Sequence, residues 1–259
     1  MTARPSAAER RPFAAFAVAL AACAAPLHAD EPCAHVEHEG ARFIVCTASD
    51  PDRVELFLTD ADGETLGSFS RIDEALAADG KRLAFAMNAG MYHRDRRPVG
   101  LYVEDGAQRA ALVTREGPGN FGMLPNGVFC VAEDRFLVIE TLRYAEDPPE
   151  CRHATQSGPM LVIDGALHPR FIEGSDSELI RNGVGVSADG ARAYFVVARS
   201  AVNFHAFARL FRDVLETPQA LYLDGNVSRL HAPGLGVSDW GLQMGPVVGM
   251  VVDADAEGG

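Results

Sequence analysis

Lysine is nearly absent from this chain of 259 residues. Lys81 is the only one, and 23 basic residues in total stand against 36 acidic ones, which gives a formal net charge of -13. Partners with dense negative charge, such as nucleic acids and anionic membrane surfaces, are bound through clusters of Lys and Arg. The arginines here are scattered along the chain. The composition therefore argues against a nucleic-acid partner and against a polybasic membrane-binding patch.

Apolar runs long enough to cross a membrane are missing as well. The run over residues 13–25 is shorter than the roughly 20 residues that a spanning helix needs. Arg10-Arg11 precedes this run, and Leu27-His28-Ala29 provides an acceptable cleavage site, which is the pattern of a secretory signal. The sequence therefore predicts no transmembrane span, a signal peptide over residues 1–29, and a periplasmic or secreted protein.

The same N-terminal segment leaves the export route open. Arg10-Arg11-Pro12-Phe13 partly matches a twin-arginine signal, so both general secretion and twin-arginine export stay as alternatives. Leu20-Ala21-Ala22-Cys23 resembles a lipoprotein cleavage box. A lipid anchor at Cys23 is therefore an alternative to a plain soluble product.

Cysteine is scarce, and its number fits an exported chain. Apart from Cys23, four cysteines remain, an even number that is typical of an oxidising compartment. Four cysteines allow three pairings. Proximity along the chain favours Cys33 with Cys46 and Cys130 with Cys151, and neither pair has the C-x-x-C spacing of zinc or redox sites. Buried free thiols are the alternative.

The part of the chain after the predicted signal has no Pro/Ser-rich linker and no internal repeat, which predicts one domain over residues 30–252 and a flexible acidic tail over residues 253–259. Short apolar runs flank Asp105-Gly106, Asp164-Gly165 and Asp189-Gly190. Asp-Gly supplies the positive φ angles of tight hairpin turns. The predicted class is α+β, a β-rich single domain with a mixed sheet, several hairpins and a few packed helices.

Two helices and one buried strand are predicted with clear boundaries. Ser70, followed by Asp73, predicts the start of a short helix. Apolar residues at helical spacing predict a second helix from about Asn203 to Leu215, which Asn203 caps. The next run, Ala220 to Leu223, has the length of a buried strand and leads into Asp224-Gly225-Asn226. A carboxylate at the end of such a strand is a common position for a functional site.

Polar corners that contain glycine follow several of the apolar runs. Glycine allows a ligand to approach the backbone closely, and Asn, Ser and Asp provide hydrogen bonds, so corners that converge in space form a polar pocket. Each corner by itself is more often an ordinary turn. The corners are Asn88 to His93, Pro125 to Gly127, Gln156 to Pro159, Arg181 to Gly183 and Asp224 to Ser228.

Signatures of several common hydrolase classes are absent. The chain contains no G-x-S-x-G motif, no H-E-x-x-H motif and no P-loop, which argues against a serine hydrolase with a nucleophile elbow, a zinc protease and an NTPase. Histidines at positions 93, 153, 168 and 205 are second choices for a site, because such residues are more often structural.

Several of the polar corners, in this order along the chain, resemble the motifs of the phosphodiester glycosidase family. This family includes the mannose 6-phosphate uncovering enzyme. The similarity extends over most of residues 84–245 and is strongest to a small bacterial exported branch. It implies a mixed-sheet domain with a pocket for a sugar phosphate. The segments that carry it are Met87 to Tyr92, Pro98 to Tyr102, Asn120 to Phe129, Thr155 to Asp164, Arg181 to Gly185 and Asn203 to Leu230.

Two of the family motifs are altered in this chain. Asn-Gly-Gly-Phe-Phe appears as Asn88-Ala89-Gly90-Met91-Tyr92, and Asp-Gly-Gly-Gly-Ser appears as Asp224-Gly225-Asn226-Val227-Ser228. The polar ends of both motifs are kept. Bulkier residues at positions 89, 226 and 227 are expected to narrow or reshape the pocket. The Ser-Gly-Pro motif is present as Ser157-Gly158-Pro159, and the arginine motif is met by Arg181 and Gly185.

The reaction that the resemblance implies sets requirements for the site. Cleavage between an anomeric carbon and a phosphate oxygen develops positive charge on the sugar and negative charge on the phosphate. We predict Asp224 as the carboxylate near the anomeric carbon and Arg181 as the cation for the phosphate, because a guanidinium stays charged and can donate two parallel hydrogen bonds. The residues predicted to bind the substrate are Asn88, Gly90, Asn126, Ser157, Gly158, Asn182, Gly225, Asn226 and Ser228.

Two alternatives accompany this hypothesis. A divalent cation could bind at Asp224 together with Asn side chains, because hard cations take oxygen ligands. The domain could also be a non-catalytic envelope module that binds a glycan or phosphoglycan in the same pocket, since fold and motif do not by themselves establish turnover.

Overall fold

Three antiparallel β-sheets are the main elements of the computed structural model, which describes Met1 and residues 31–225 and 227–254. The predicted signal peptide with Cys23, together with Asn226 and residues 255–259, lies outside the described residues. The described residues from Glu31 onward form one compact unit. The α+β class is confirmed. The sheet pairing differs from the predicted mixed sheet, because every strand pair among the described residues is antiparallel.

The described strands and α-helices are numbered here in chain order. The strands are β1 Cys33–His38, β2 Ala41–Ala48, β3 Val54–Phe57, β4 Lys81–Asn88, β5 Tyr102–Glu104, β6 Ala107–Ala110, β7 Gly127–Val131, β8 Phe136–Glu140, β9 His153–Ser157, β10 Met160–Ile163, β11 Ala166–Leu167, β12 Asn182–Val186, β13 Ala193–Ala198, β14 Gln219–Asp224, β15 Leu230–Ala232, β16 Val237–Ser238 and β17 Val247–Asp253. The α-helices are α1 Phe69–Ala77, α2 Thr141–Glu146 and α3 Phe204–Arg209.

The strands form sheets of seven, five and five strands. Their orders are β1-β2-β13-β12-β14-β10-β11, β16-β15-β4-β17-β3 and β6-β5-β9-β7-β8. The main core lies where the three sheets meet. Phe195 of the first sheet contacts Phe85 of the second at a ring distance of 5.3 Å and Phe129 of the third at 5.5 Å. All three rings are buried, so this cluster holds the sheets together through apolar contact.

The predicted Asp-Gly hairpins are confirmed. Asp105 and Gly106 have φ angles of 48° and 72° between β5 and β6, and Asp164 and Gly165 have 48° and 79° between β10 and β11. Positive φ at both central residues is the geometry of a type I′ turn, which matches the twist of paired strands. The connection between β12 and β13 is longer, with Gly190 at a φ of 72°.

One predicted helix start is correct and one is wrong. Asn203 caps α3 by accepting a hydrogen bond from the Ala206 N–H at 2.9 Å, and a π-helical turn over Leu210–Val214 follows. In α1 the cap is Ser68 rather than Ser70, because the Ser68 hydroxyl accepts from the Arg71 N–H. The Asp73 carboxylate accepts from the Leu83 N–H instead, which ties α1 to β4.

Both predicted disulfides are present. Cys33 and Cys46 lie directly opposite each other on β1 and β2, and Cys130 of β7 is bonded to Cys151 before β9. Disulfides are typical of proteins in oxidising compartments. In the part of the chain that the structure describes, no helix is long and apolar enough to cross a membrane.

Candidate active site

Polar residues from all three sheets meet where their strands end. Asn88 ends β4, Ser157 ends β9, Asn182 begins β12, Asp224 ends β14, and Asn126 immediately precedes β7. We call these five residues the strand-end cluster. Each of them was predicted from a different corner of the sequence, and the fold brings them together through strand pairing and hydrogen bonds.

The Asn182 side chain is the centre of this cluster. Its Oδ1 accepts from the Asp224 N–H at 2.8 Å, and its Nδ2 donates to the Asn88 carbonyl at 2.8 Å. The Asn88 Nδ2 lies 3.5 Å from Asn182 Oδ1. Both amides are fully buried. Because buried polar groups are costly to leave unpaired, this network fixes the ends of three strands from two sheets relative to one another.

Asp224 is the last residue of β14 and belongs to the cluster through its backbone bond to Asn182. Its side chain is buried, and Oδ1 accepts from the Gly225 N–H at 2.6 Å. The Ser228 Oγ lies 3.1 Å from the Asp224 carbonyl oxygen and 2.9 Å from the Ile180 carbonyl oxygen. Ser228 therefore binds the backbone of the residue that carries the carboxylate.

Ser157 and Asn126 are fully buried and bound to the backbone. The Ser157 hydroxyl donates to the Leu223 carbonyl at 2.8 Å, beside Asp224. The Asn126 Nδ2 donates to the Phe121 carbonyl at 2.7 Å, whereas its Oδ1 has no hydrogen-bond partner among the described residues. Both side chains support the cluster from inside.

The predicted glycines allow close packing behind the site. A Cβ atom at Gly225 would lie 2.1 Å from the Tyr222 hydroxyl oxygen, and one at Gly90 would lie 2.6 Å from the Gln156 carbonyl oxygen. A Cβ at Gly158 would lie 2.4 Å from the Asn126 Cβ. Any side chain at these positions would push the strand ends apart, so glycine is required there for packing.

The altered residues of the two family motifs have different surroundings. Ala89 is fully buried in the main core, and its N–H donates to the Pro246 carbonyl at 2.8 Å. The methyl group of Ala89 therefore packs into the core, and the expectation that this residue narrows or reshapes the pocket stays a prediction. Val227 does line the cleft beside the cluster, and Asn226 lies outside the described residues.

Arg181 is fully buried next to the cluster. Its Nε donates to the Val202 carbonyl and its Nη2 to the Ser177 carbonyl, both at 2.8 Å, and its Nη1 donates to the Tyr222 hydroxyl at 3.4 Å. The guanidinium carbon lies 3.7 Å from the centre of the Phe204 ring. Burial lowers the pKa of Arg181, although an arginine stays protonated. All three guanidinium nitrogens thus bind within the fold, and the predicted contact with phosphate stays a prediction.

An open cleft of about 810 Å³ lies beside the cluster. The backbone N–H of Arg229, one of its lining residues, donates to Asn88 Oδ1 at 2.9 Å and so connects the cleft to the cluster. The predicted residues Gly225 and Ser228 line it too, and the sequence interpretation missed four others that do so: Arg199, Arg229, Asp239 and Trp240. Arg229 directly follows the Asp224 motif, and this adjacency is the signal that could have identified it.

Two tyrosines lie within electrostatic reach of the Asp224 carboxylate. The pKa of Tyr222 is raised to about 12. Burial is the main cause of this shift, Arg181 opposes it, and Asp224 adds to it. Burial and then Asp224 also raise the pKa of Tyr92. Both phenols therefore stay protonated at neutral pH. Tyr92 is the last residue of the altered family motif, which is the sequence signal for it.

The donor set for a metal ion is thin. No group of three or more His, Cys, Asp or Glu side chains within residues 31–225 and 227–254 is arranged to hold a metal ion. The Asn88 and Asn182 amide oxygens already accept backbone N–H groups. A cation at Asp224 would therefore share these oxygens with the backbone, and the predicted cation site stays a prediction.

The motif order and this geometry agree with comparisons to known proteins. Residues 81–232 match the sequence profile of the phosphodiester glycosidase family. The chain belongs to that family. Membership in this family supports a glycosidase-type function for the chain. The predicted resemblance is thus confirmed.

Relatives and solved structures extend this assignment. The chain is 37% identical over 200 residues to the uncharacterized protein YigE of Escherichia coli (strain K12), which covers 77% of this chain and 76% of YigE. It resembles the zebrafish N-acetylglucosamine-1-phosphodiester alpha-N-acetylglucosaminidase catalytic domain auto-inhibited by pro-peptide, with a TM-score of 0.58 and 12% identity. The superposition covers 84% of this chain and 81% of the zebrafish chain. A putative exported protein from Burkholderia pseudomallei K96243 gives a TM-score of 0.52 and 13% identity, and the superposition covers 81% of this chain and 74% of the Burkholderia chain. The two structural similarities establish a shared fold.

Proposed function

We propose that the protein is an exported hydrolase that cleaves the glycosidic bond of a sugar-1-phosphodiester or of a related phosphoglycan. The observation that carries this proposal is the position of Asp224, a buried carboxylate whose backbone N–H is bound by Asn182 and whose neighbour Gly225 lines an open cleft. The N-terminal signal pattern and the two disulfides support export to the periplasm or beyond the cell.

Asp224 acts on the sugar in this proposal. A fixed carboxylate stabilises the positive charge that develops at the anomeric carbon, and it acts either as a nucleophile or by activating water. Because a phosphate is already a good leaving group, the site has less need of a strong general acid.

The phosphate needs a cation, and the structure offers three arginines at or beside the cleft, Arg181, Arg199 and Arg229. Arg199 and Arg229 both line the cleft, but Arg199 is paired with Asp239, whereas the Arg229 backbone binds Asn88 of the strand-end cluster, so we assign the phosphate contact to Arg229. Arg181 supports Asp224 from behind, since it binds the Tyr222 hydroxyl, which packs against Gly225. Arg181 is in this assignment a positioning residue rather than a catalytic one.

The direct test is hydrolysis of N-acetylglucosamine-1-phosphodiester model substrates by the purified protein and by Asp224→Asn. We expect the variant to lose at least about a hundredfold in kcat, in line with the contribution of a positioned acid or base group. Asp164→Asn is the matched control, because Asp164 is exposed in another Asp-Gly turn. Circular dichroism and the Tm must show both variants folded. Equal kcat in wild type and Asp224→Asn would contradict the proposal.

Treatment with a chelator tests whether the predicted cation is needed for turnover. If turnover requires a divalent ion, excess EDTA abolishes it and added Mg²⁺, Mn²⁺ or Ca²⁺ restores it, because these ions take oxygen ligands. Activity that is unchanged after EDTA treatment would place the chemistry on the protein side chains alone.

The second candidate is a non-catalytic module that binds a glycan or phosphoglycan in the same cleft. It is favoured by Val227, which lines the cleft where the family motif has glycine. Binding of the model diesters by both wild type and Asp224→Asn, with turnover by neither, would select this alternative.

A further inference from the structure

Trp240 is the single tryptophan of the chain, and it is 93% exposed on the cleft. Large aromatic side chains bury much apolar area when they bind and are seldom left this exposed without a partner. Gly225 and Ser228 of the proposed site line the same cleft as Trp240. The ring therefore lies in the same cleft as two residues of the proposed site.

The backbone on both sides of Trp240 is held in place. Before it, the Asp239 carboxylate pairs with Arg199 through two bonds of 2.7 and 3.2 Å. After it, the Leu242 carbonyl accepts a hydrogen bond from the Arg229 guanidinium. The exposure of Trp240 thus belongs to an anchored loop, and one of the two anchors is the arginine that we assign to the phosphate.

The chemistry around the ring fits a sugar better than a wholly apolar partner. A pyranose has an apolar face that can cover an aromatic ring and a rim of hydroxyls that need hydrogen bonds. The cleft offers the Trp240 face together with the Arg199–Asp239 pair and the hydroxyl oxygens of Ser228 and Ser238, which can accept hydrogen bonds besides those they make within the protein. An apolar partner would bury these charged and polar groups without compensation. The volume of the cleft, about 810 Å³, is in the upper part of the range for sites that enclose a whole small ligand.

We infer that Trp240 forms a stacking subsite for a second sugar ring of the substrate, on the far side of the phosphate from the ring that reacts. This inference rests on the proposed function, which places the first ring at Asp224 and the phosphate at Arg229. It makes Trp240 a residue that selects among phosphodiesters by the group attached beyond the phosphate.

The test compares two probes that share N-acetylglucosamine-1-phosphate and differ in the second phosphate substituent, which is methyl in one and a glucose ring in the other. Affinities are measured by calorimetry in the full chain carrying Asp224→Asn, so that turnover does not interfere. We expect the glucose diester to bind about tenfold more tightly, a step of about 1.4 kcal/mol. Because Trp240 is the only tryptophan, quenching or a blue shift of its emission reports contact directly.

The variants decide the origin of this preference. Trp240→Ala should bring the ratio of the two dissociation constants close to one, whereas Trp240→Phe should keep most of it. Leu242→Ala is the matched control, because Leu242 is an 80% exposed apolar side chain of the same loop. A ratio that Trp240→Ala leaves unchanged would overturn the subsite.

Other outcomes separate the subsite from the proposed function. A ring-dependent preference that requires Trp240, in a wild-type protein that hydrolyses neither diester, keeps the subsite and overturns the hydrolase proposal. Failure of both diesters to bind overturns both. A Trp240 emission shift caused by anionic phospholipid vesicles or by rising protein concentration, with no response to the glucose diester, would assign the residue to a membrane or to a second copy of the chain and overturn the sugar subsite.

Discussion

Arg181 and Arg199 lie side by side at the same end of β12 and β13, where the Ala198 N–H donates to the Arg181 carbonyl, yet their side chains have opposite surroundings. Arg181 is fully buried and is held by neutral oxygen atoms and the Phe204 ring. Arg199 is about one third exposed and pairs with a carboxylate, Asp239. The first belongs to the framework behind the site, and the second belongs to the rim of the cleft.

This difference shows that an arginine in a family motif need not face the ligand. A buried guanidinium loses its hydration, and only a complete set of hydrogen bonds with an aromatic contact offsets that loss. Such a residue stabilises the fold around the site. An arginine at the rim keeps part of its hydration and can exchange its partner for a ligand at little cost.

The largest expected effect is a difference in the free energy of unfolding between substitutions of Arg181 and of Arg199. Arg181→Met should lower the free energy of unfolding by about 3 kcal/mol or more, because it removes a fully buried guanidinium together with its hydrogen bonds to the Val202 carbonyl and the Tyr222 hydroxyl and its contact with the Phe204 ring. Arg199→Met should change it by no more than about 1 kcal/mol. Urea denaturation of both variants measures the difference. Equal destabilisation would show that the two environments do not differ energetically.

Acid pH extends the comparison to a basic residue that is buried in its neutral form. His153 is 1% exposed, and burial together with Arg152 lowers its pKa to about 4, against a smaller opposing effect of Asp105. Its Nδ1 accepts from the Asp105 N–H at 3.4 Å. Since the unfolded chain takes up the proton near pH 6.5 and the folded chain only near pH 4, stability falls as the pH drops through this window.

The expected size of this loss is up to about 3 kcal/mol between pH 6.5 and pH 4. Urea titrations at a series of pH values measure it, and His153→Gln should flatten the curve in this window. Arg181 stays charged throughout and contributes nothing to the slope. A curve of wild-type shape in His153→Gln would refute the assignment to His153.

The smallest effect is expected at the rim. Asp239→Asn weakens the partly exposed pair with Arg199 but keeps an oxygen that can accept from the Leu230 N–H. We expect a loss below about 1 kcal/mol in unfolding free energy, which salt should reduce further. Thermal unfolding in low and high salt checks this. A loss comparable with that of Arg181→Met would mean that the rim is part of the framework.

Local signals in the sequence predicted local structure well. The Asp105-Gly106 turn, the Asn203 cap and the strand that ends at Asp224 each depend on residues close together in the chain, and each is confirmed. The misplaced cap of α1 is an error of the same local kind, since Ser68 and Ser70 are both suitable caps and Asp73 is used by β4 instead.

The arrangement of the site depends on contacts that no local pattern contains. Asn88 and Asn182 are 94 residues apart, and Asn88 and Arg229 are 141 apart. The motif order indicated that such corners belong together, but the burial of Arg181 depends on packing against α3 and β14, and no local pattern predicts the exposure of Trp240. For the same reason the antiparallel pairing of all described strands could not be read from the hairpins alone.

The Cys33–Cys46 disulfide has a consequence for how the chain avoids aggregation. β1 is an outer strand of the seven-stranded sheet, and such strands present unpaired N–H and C=O groups to which other chains can pair. The bond joins β1 to β2 at directly opposed positions, so β1 cannot peel away and uncover the edge of β2. In an oxidising compartment the disulfide that closes the first hairpin therefore also limits pairing between the edge of this sheet and strands of other protein chains.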